Sequence, residues 1–199
     1  IINLIGSDVR KIILGFMVAT AFLSMWISNT ATAVMMLPIG LAIIKQLQDN
    51  PDTVEDENQT FGKALMLAIA YSASIGGLAT LIGTPPNLVL AGVVLDTYGY
   101  EITFMQWFVF GLPISVILIF ICWKYLTKYA FTFKQKTFPG GKEEIKRLLS
   151  KLGTISYEEK VVAFVFALTA FCWITRSFLL QKLLPGLDDT IIAIFFAIV

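Results

Sequence analysis

From Ile12 to Ile44 the chain carries no Asp, Glu, Lys or Arg, a run of 33 residues. As one helix at ~1.5 Å per residue it would extend roughly 50 Å, well beyond a ~30 Å hydrocarbon core, whereas two full crossings need about 40 residues. The run is too long for one span and too short for two. Ser28-Asn29-Thr30 interrupts it near the middle. That pattern predicts a helical hairpin over residues 1–48, with arms at 12–27 and 31–44 and its tip at 28–30. The hairpin would turn near mid-depth and leave on the side it entered. Such a turn is tolerated where protein or a water-filled cavity surrounds its backbone. Charge parity alone would also allow two crossings, so the re-entrant reading rests on length.

A second uncharged run, Ala64 to Leu95, is broken by Gly83-Thr84-Pro85-Pro86-Asn87. Adjacent prolines remove two backbone donors and push the preceding residue out of helical geometry. The expectation is a broken transmembrane helix over 62–98, interrupted at 83–87, after an acidic loop at 49–61 that holds Asp49, Asp52, Glu55, Asp56 and Glu57. Small residues crowd the stretch before the break, and Gly76 and Gly77 there would admit a neighbouring helix closely. Tight packing explains those two glycines but leaves Thr84 and Asn87 over. Further spans are expected at 102–127 and 157–184, with a last one beginning at 188–199. Between the first two, residues 128–156 form a basic loop, in which Ile145, Leu148, Leu149 and Leu152 recur at helical spacing beside Lys146, Arg147 and Lys151. This suggests an amphipathic helix on the inner membrane surface or a solvated helix docked on other protein. Arg176 is expected to snorkel at the far end of its span.

Composition agrees with this outline. Hydrophobic residues make up 57% and charged residues 15%, with a mean hydropathy of +0.78; a soluble domain would carry about a quarter charged. The fold class is all-α, a polytopic membrane protein resident in the cell membrane. The excess of Lys over acid in 128–156 places that loop in the cytoplasm, which puts 96–101 outside and both ends of the hairpin inside. A net charge of +1 and the lack of a basic, aromatic-rich cluster give no sign of nucleic acid as a partner. Cys122 and Cys172 lie inside apolar runs and read as small buried hydrophobes. Both chain ends are strongly apolar, and the final run is too short to cross, so the sequence reads as an internal piece of a longer protein.

Two apolar segments, each broken by small polar residues, Gly or Pro, are the sequence mark of a transporter binding site. Helix ends near Ile27 and Ile82 would aim unpaired carbonyls at a small cation, and helix starts near Ala31 and Leu88 would aim amide hydrogens at an anion. Ser28, Asn29, Thr30, Thr84 and Asn87 add uncharged donors and acceptors. Neither segment holds an acid, and the chain contains 0 histidines. Proton coupling normally uses a titratable group in the membrane, so sodium is favoured as the coupling ion. No enzyme cofactor is expected, because no nucleophile and base pair or metal-ligand cluster falls at membrane depth. A blander reading makes Thr30 a helix cap and Asn29 a turn residue.

The segment Phe22 to Ala33 around Ser28-Asn29-Thr30, followed by Ile75 to Asn87, strongly resembles the divalent anion:sodium symporter (DASS) family of dicarboxylate, citrate and sulfate transporters. The likeness extends through Glu158-Glu159-Lys160-Val161, Trp173 to Arg176 and Asp188-Asp189-Thr190. It implies an inverted-repeat, elevator-type transporter acting as a homodimer in the lipid bilayer. It also implies that Ser28, Asn29, Thr30 and Thr84 meet a substrate carboxylate, and that Ser24, Ser28, Asn29, Gly83 and Thr84 hold sodium. Gly76, Gly77, Pro85, Pro86 and Asn87 would support the site. Only one Ser-Asn-Thr turn is present where the family has two, so half of such a site is expected. An anion exchanger of the same fold, or a channel or structural subunit, remains open.

Overall fold

In the computed structural model, residues 8–48, 55–133, 155–184 and 186–198 are described, and their regular structure is helical. The expected amphipathic helix near 145–152 lies outside them. Helix α1 spans Val9–Ser24 and α2 spans Asn29–Gln48. α3 runs Glu55–Gly77 and α4 Pro85–Tyr98. α5 is Phe104–Lys124, prolonged by a π-helical stretch at Tyr125–Ala130. α6 is Tyr157–Thr175, with a π-helical stretch at Arg176–Leu180 and a short turn at Gln181–Leu183, and α7 is Asp189–Ile198.

Local chemistry sets these boundaries. Asp8 starts α1 by accepting the Arg10 and Lys11 amides at 2.9 and 3.2 Å. Thr103 and Gln106 close a reciprocal capping box on α5, and Ser156 and Glu159 do the same on α6. α3 begins at Glu55, inside the stretch expected to be an acidic loop, because Glu55, Asp56 and Glu57 fall in its first turn, where the positive end of the helix dipole favours them.

The core lies between α1, α2 and α3. Ile12, Ile13, Phe16 and Met17 of α1 meet Ala64, Leu65, Ala68 and Ile69 of α3, with Met36, Ile43 and Leu47 closing from α2. α1 and α3 come closest at Gly76, where an added Cβ would stand 2.5 Å from the Ala21 Cα. α5 covers the same bundle through Ile119 and Leu126. Its Trp123 Nε1 donates to the Arg10 carbonyl at 2.9 Å, setting the end of α5 beside the start of α1. α2 and the α5 run Phe104–Ala130 are each long and apolar enough to cross a bilayer. α6 is attached differently: of its own residues only Thr175, at its end, is buried.

Candidate functional site

The hairpin turn comes earlier than the sequence suggested. α1 stops at Ser24, Met25 to Ser28 make the link, and Asn29 already opens α2. The reason is a cap. Ser28, not Thr30, takes the capping role, its Oγ accepting the Ala31 amide at 3.3 Å while its carbonyl accepts Thr32 N at 2.9 Å. Helix geometry leaves the Asn29 and Thr30 amides without an intrahelical acceptor. With the exposed Ser28 and Thr30 side chains, they form an uncharged donor face at the positive end of α2.

Behind that face, oxygens converge. Ser24 is fully buried, and its Oγ lies 2.7 Å from Asn29 Oδ1 and 2.6 Å from the Ala73 carbonyl of α3. One hydroxyl hydrogen faces two acceptors and cannot satisfy both fully. Three neutral oxygens drawn together in this way suit a small hard cation. Gly77 makes the arrangement possible, since a Cβ there would collide with Asn29 Oδ1.

The break in the second segment also starts earlier than expected. α3 ends at Gly77, Leu78 to Thr84 form the crossing, and Pro85, Pro86 and Asn87 belong to the first turn of α4. Proline is tolerated there because the amide it lacks would have had no partner. This corrects one expectation about the anion. Pro85 and Pro86 have no N–H to offer, and the Asn87 amide is spent on the Thr84 carbonyl at 3.1 Å, so amide donors come from α2 and not from the start of α4. Asn87, expected among the uncharged donors and acceptors and, by the resemblance, as a support of the site, is buried. Its Nδ2 donates to the carbonyls of Gly77 at 2.9 Å and Thr80 at 2.8 Å, ending α3 as a backbone amide would.

Two more carbonyls around the end of α3 are met from α5. Ser115 Oγ donates to Ile75 O at 2.9 Å, and Trp107 Nε1 to Leu78 O at 3.0 Å. Gly83 folds back until an added Cβ would stand 2.6 Å from the Gly77 carbonyl, and Thr84 caps α4 in extended geometry without a side-chain cap bond. Ser24, Ser28, Asn29, Gly77, Gly83 and Thr84 therefore cluster where hairpin and break meet. The residue that joins the two, Thr80, carried no distinctive sequence signal: it is fully buried, and its hydroxyl donates to the Met25 carbonyl in the hairpin link.

Beyond the break, a cavity of about 510 Å³ is lined by Leu81, Leu88, Glu101, Asp188 and Asp189 among others. Arg176 closes off this end of the molecule. It does not snorkel: it is 1% exposed, pairs with Glu101 at 2.6 Å and Asp189 at 3.0 Å, and donates from Nε to the Leu187 carbonyl at 3.0 Å. Burial of a guanidinium requires such partners. Nothing in the linear pattern marks Arg176 and Glu101, 75 residues apart, as partners.

A helical hairpin whose turn docks on the break of a second helix, with neutral oxygens on one side and helix amides on the other, is the arrangement that multi-pass membrane transporters use at their binding sites. The chain belongs to the CitMHS citrate transporter family, whose family model matches residues 1–198. It is 50% identical over 202 residues to the sodium-dependent dicarboxylate transporter SdcS of Staphylococcus aureus strain USA300, a match covering 100% of this chain and 39% of that protein. The SdcS proteins of strains NCTC 8325 / PS 47 and bovine RF122 / ET3-1 are similar to the same extent. The chain thus spans 39% of the length of these relatives, which are transporters and not enzymes.

Proposed function

We propose that this chain carries half of the binding site of a sodium-coupled symporter for a dicarboxylate or related divalent anion. The observation that carries the reading is the meeting of Ser24 Oγ, Asn29 Oδ1 and Ala73 O directly behind the amide end of α2. Sodium sits among those oxygens, with Gly83 and Thr84 closing on it from the break. One carboxylate of the substrate meets the Asn29 and Thr30 amides and the side chains of Ser28, Asn29, Thr30 and Thr84. The bound cation supplies positive charge where the protein offers none. The names of the relatives support both sodium and a dicarboxylate.

The hairpin turns at mid-depth in this reading. Its support is the Thr80 bond to Met25, which sets the turn beside the break while the 14 residues of α4, about 21 Å of helix, still run onward. A second, inverted hairpin and broken helix complete the site in the full-length homodimer, and the site-bearing helices move as a body across the bilayer. The test is uptake by the full-length protein in vesicles, with succinate, citrate and sulfate as competitors. Uptake of a dicarboxylate that collapses when the inward sodium gradient is removed is expected. Uptake indifferent to that gradient would point to an exchanger of the same fold and overturn the reading.

A further inference from the structure

Trp26 stands in the hairpin link, between the Met25 carbonyl that Thr80 holds and the Ser28 that caps α2. Its indole N–H is occluded and has no partner among the described residues, so ring contacts hold the side chain. One face stacks on Phe104 of α5, with centroids 6.3 Å apart and planes 21° from parallel, and Phe166 of α6 meets it edge-on at 4.9 Å. Phe104 in turn stacks on Trp173 of α6 at 5.4 Å. Contacts of this kind fix geometry as well as burying area.

Both of these aromatic partners are tied to Asp189. The Phe104 amide donates to Asp189 Oδ2 at 3.2 Å, and Trp173 Nε1 donates to the Asp189 carbonyl at 3.0 Å. Asp189 is the carboxylate that Arg176 pairs with on one side, while Glu101 takes the guanidinium on the other. Glu101 lies just before α5 and Asp189 opens α7, so the ion pair pins the aromatic stack from outside the site. Since α6 buries so little of itself elsewhere, this patch is its anchorage on the site-bearing helices.

We propose that Trp26 is a positioning residue for the ion and anion site, and that the Arg176 ion pair acts on that site through it. The pair holds Phe104 and Trp173, these hold Trp26, and Trp26 holds the link that presents Ser24, Ser28 and Asn29. The proposal rests on the site reading above, so its test includes a readout that needs no transport.

The full-length protein is compared as wild type, Trp26→Phe, Trp26→Ala, Glu101→Gln and the Trp26→Ala/Glu101→Gln double variant. Glu101→Gln is chosen because Asp189 still pairs the buried arginine, which keeps the fold intact. Trp26→Ala is expected to raise the sodium and anion concentrations for half-maximal uptake roughly tenfold with a smaller change in maximal rate, and Trp26→Phe to restore them to within about twofold. Glu101→Gln is expected to raise the same constants roughly threefold alone and not at all on top of Trp26→Ala, as coupled residues do. In protein free of sodium and anion, amide hydrogen exchange across residues 22–32 should quicken in Trp26→Ala and in Glu101→Gln. Effects that multiply in the double variant, or exchange that quickens at 101–104 but not at 22–32, would overturn the proposal. Wild-type uptake that ignores sodium would sink the site reading and leave the exchange result to decide this one.

Discussion

The hydroxyl of Thr80 donates to the carbonyl of Met25, 55 residues earlier in the chain, and so fastens the break after α3 to the turn before α2. Thr80→Val keeps the shape and removes the bond, leaving a carbonyl unpaired. A loss of about 1–3 kcal/mol in stability is expected. The sodium concentration for half-maximal uptake should rise several-fold more than that for the anion, because the oxygens around Ser24 depend on the same register. Thermal unfolding and sodium titrations of uptake check the two parts separately.

Gly76 and Gly77 are neighbours with different roles. A Cβ on Gly76 meets the backbone of Ala21, which cannot move without parting α1 from α3; one on Gly77 meets the tip of the Asn29 side chain, which can swing aside, and stands 3.2 Å from the Gly83 carbonyl, which needs to give only slightly. Gly76→Ala is therefore expected to cost about 1–3 kcal/mol of stability by overpacking. Gly77→Ala should leave unfolding nearly unchanged and weaken sodium and anion dependence together. Equal losses of stability in the two variants would contradict this division.

Asn87 ends α3 through its bonds to the Gly77 and Thr80 carbonyls, and its substitution tests whether it does more than that. Asn87→Ala strands the Gly77 carbonyl, at about 1–3 kcal/mol, and leaves the Thr80 carbonyl with only the Gly83 amide at 3.4 Å. Asn87→Asp should be worse, since a carboxylate offers these carbonyls no hydrogen. In protein that survives purification at low temperature, the half-saturating anion concentration is expected within about twofold of wild type for Asn87→Ala. A large shift in that constant without a fall in unfolding temperature would return Asn87 to the site.

Ser24 is the complementary case. Ser24→Ala removes one of three converging oxygens, and the expected result is a steep loss of sodium dependence, with anion binding falling only as sodium binding does. Raising sodium should recover most of the anion affinity. Thr30→Ala should respond oppositely, its anion defect persisting at saturating sodium. Uptake measured over a grid of the two concentrations separates them.

The outline of the fold was open to reading in the residues themselves. Uncharged runs and their polar interruptions mark the apolar parts of the described helices, because the bilayer and the backbone together allow few alternatives, whereas the charged start of α3 from Glu55 read as loop. Helix ends were less legible. Ser28, Asn29 and Thr30 suit a turn and a cap equally, and only the Ala31 amide on Ser28 Oγ decides that α2 begins at Asn29. Pro85 and Pro86 read as a break although the first helical turn accepts them, so the crossing was placed too late. Asn87 read both as a donor at the break and as a support of the site, because a carbonyl-capping amide leaves no trace in a linear sequence. The pairing of Arg176 with Glu101, 75 residues away, had no local signal at all.

The two prolines at the head of α4 bear on which molecules can be recognised. On the proposed reading they leave this chain with a single wall of backbone donors, the one at Asn29 and Thr30, facing a surface whose only matching donor is the Thr84 hydroxyl. A ligand charged at one end only would be gripped here and nowhere else. One with negative groups at both ends would have its far group unmet until another part of the protein closed over it. Discrimination by length between the two groups would then be decided at a distance from the residues that make first contact.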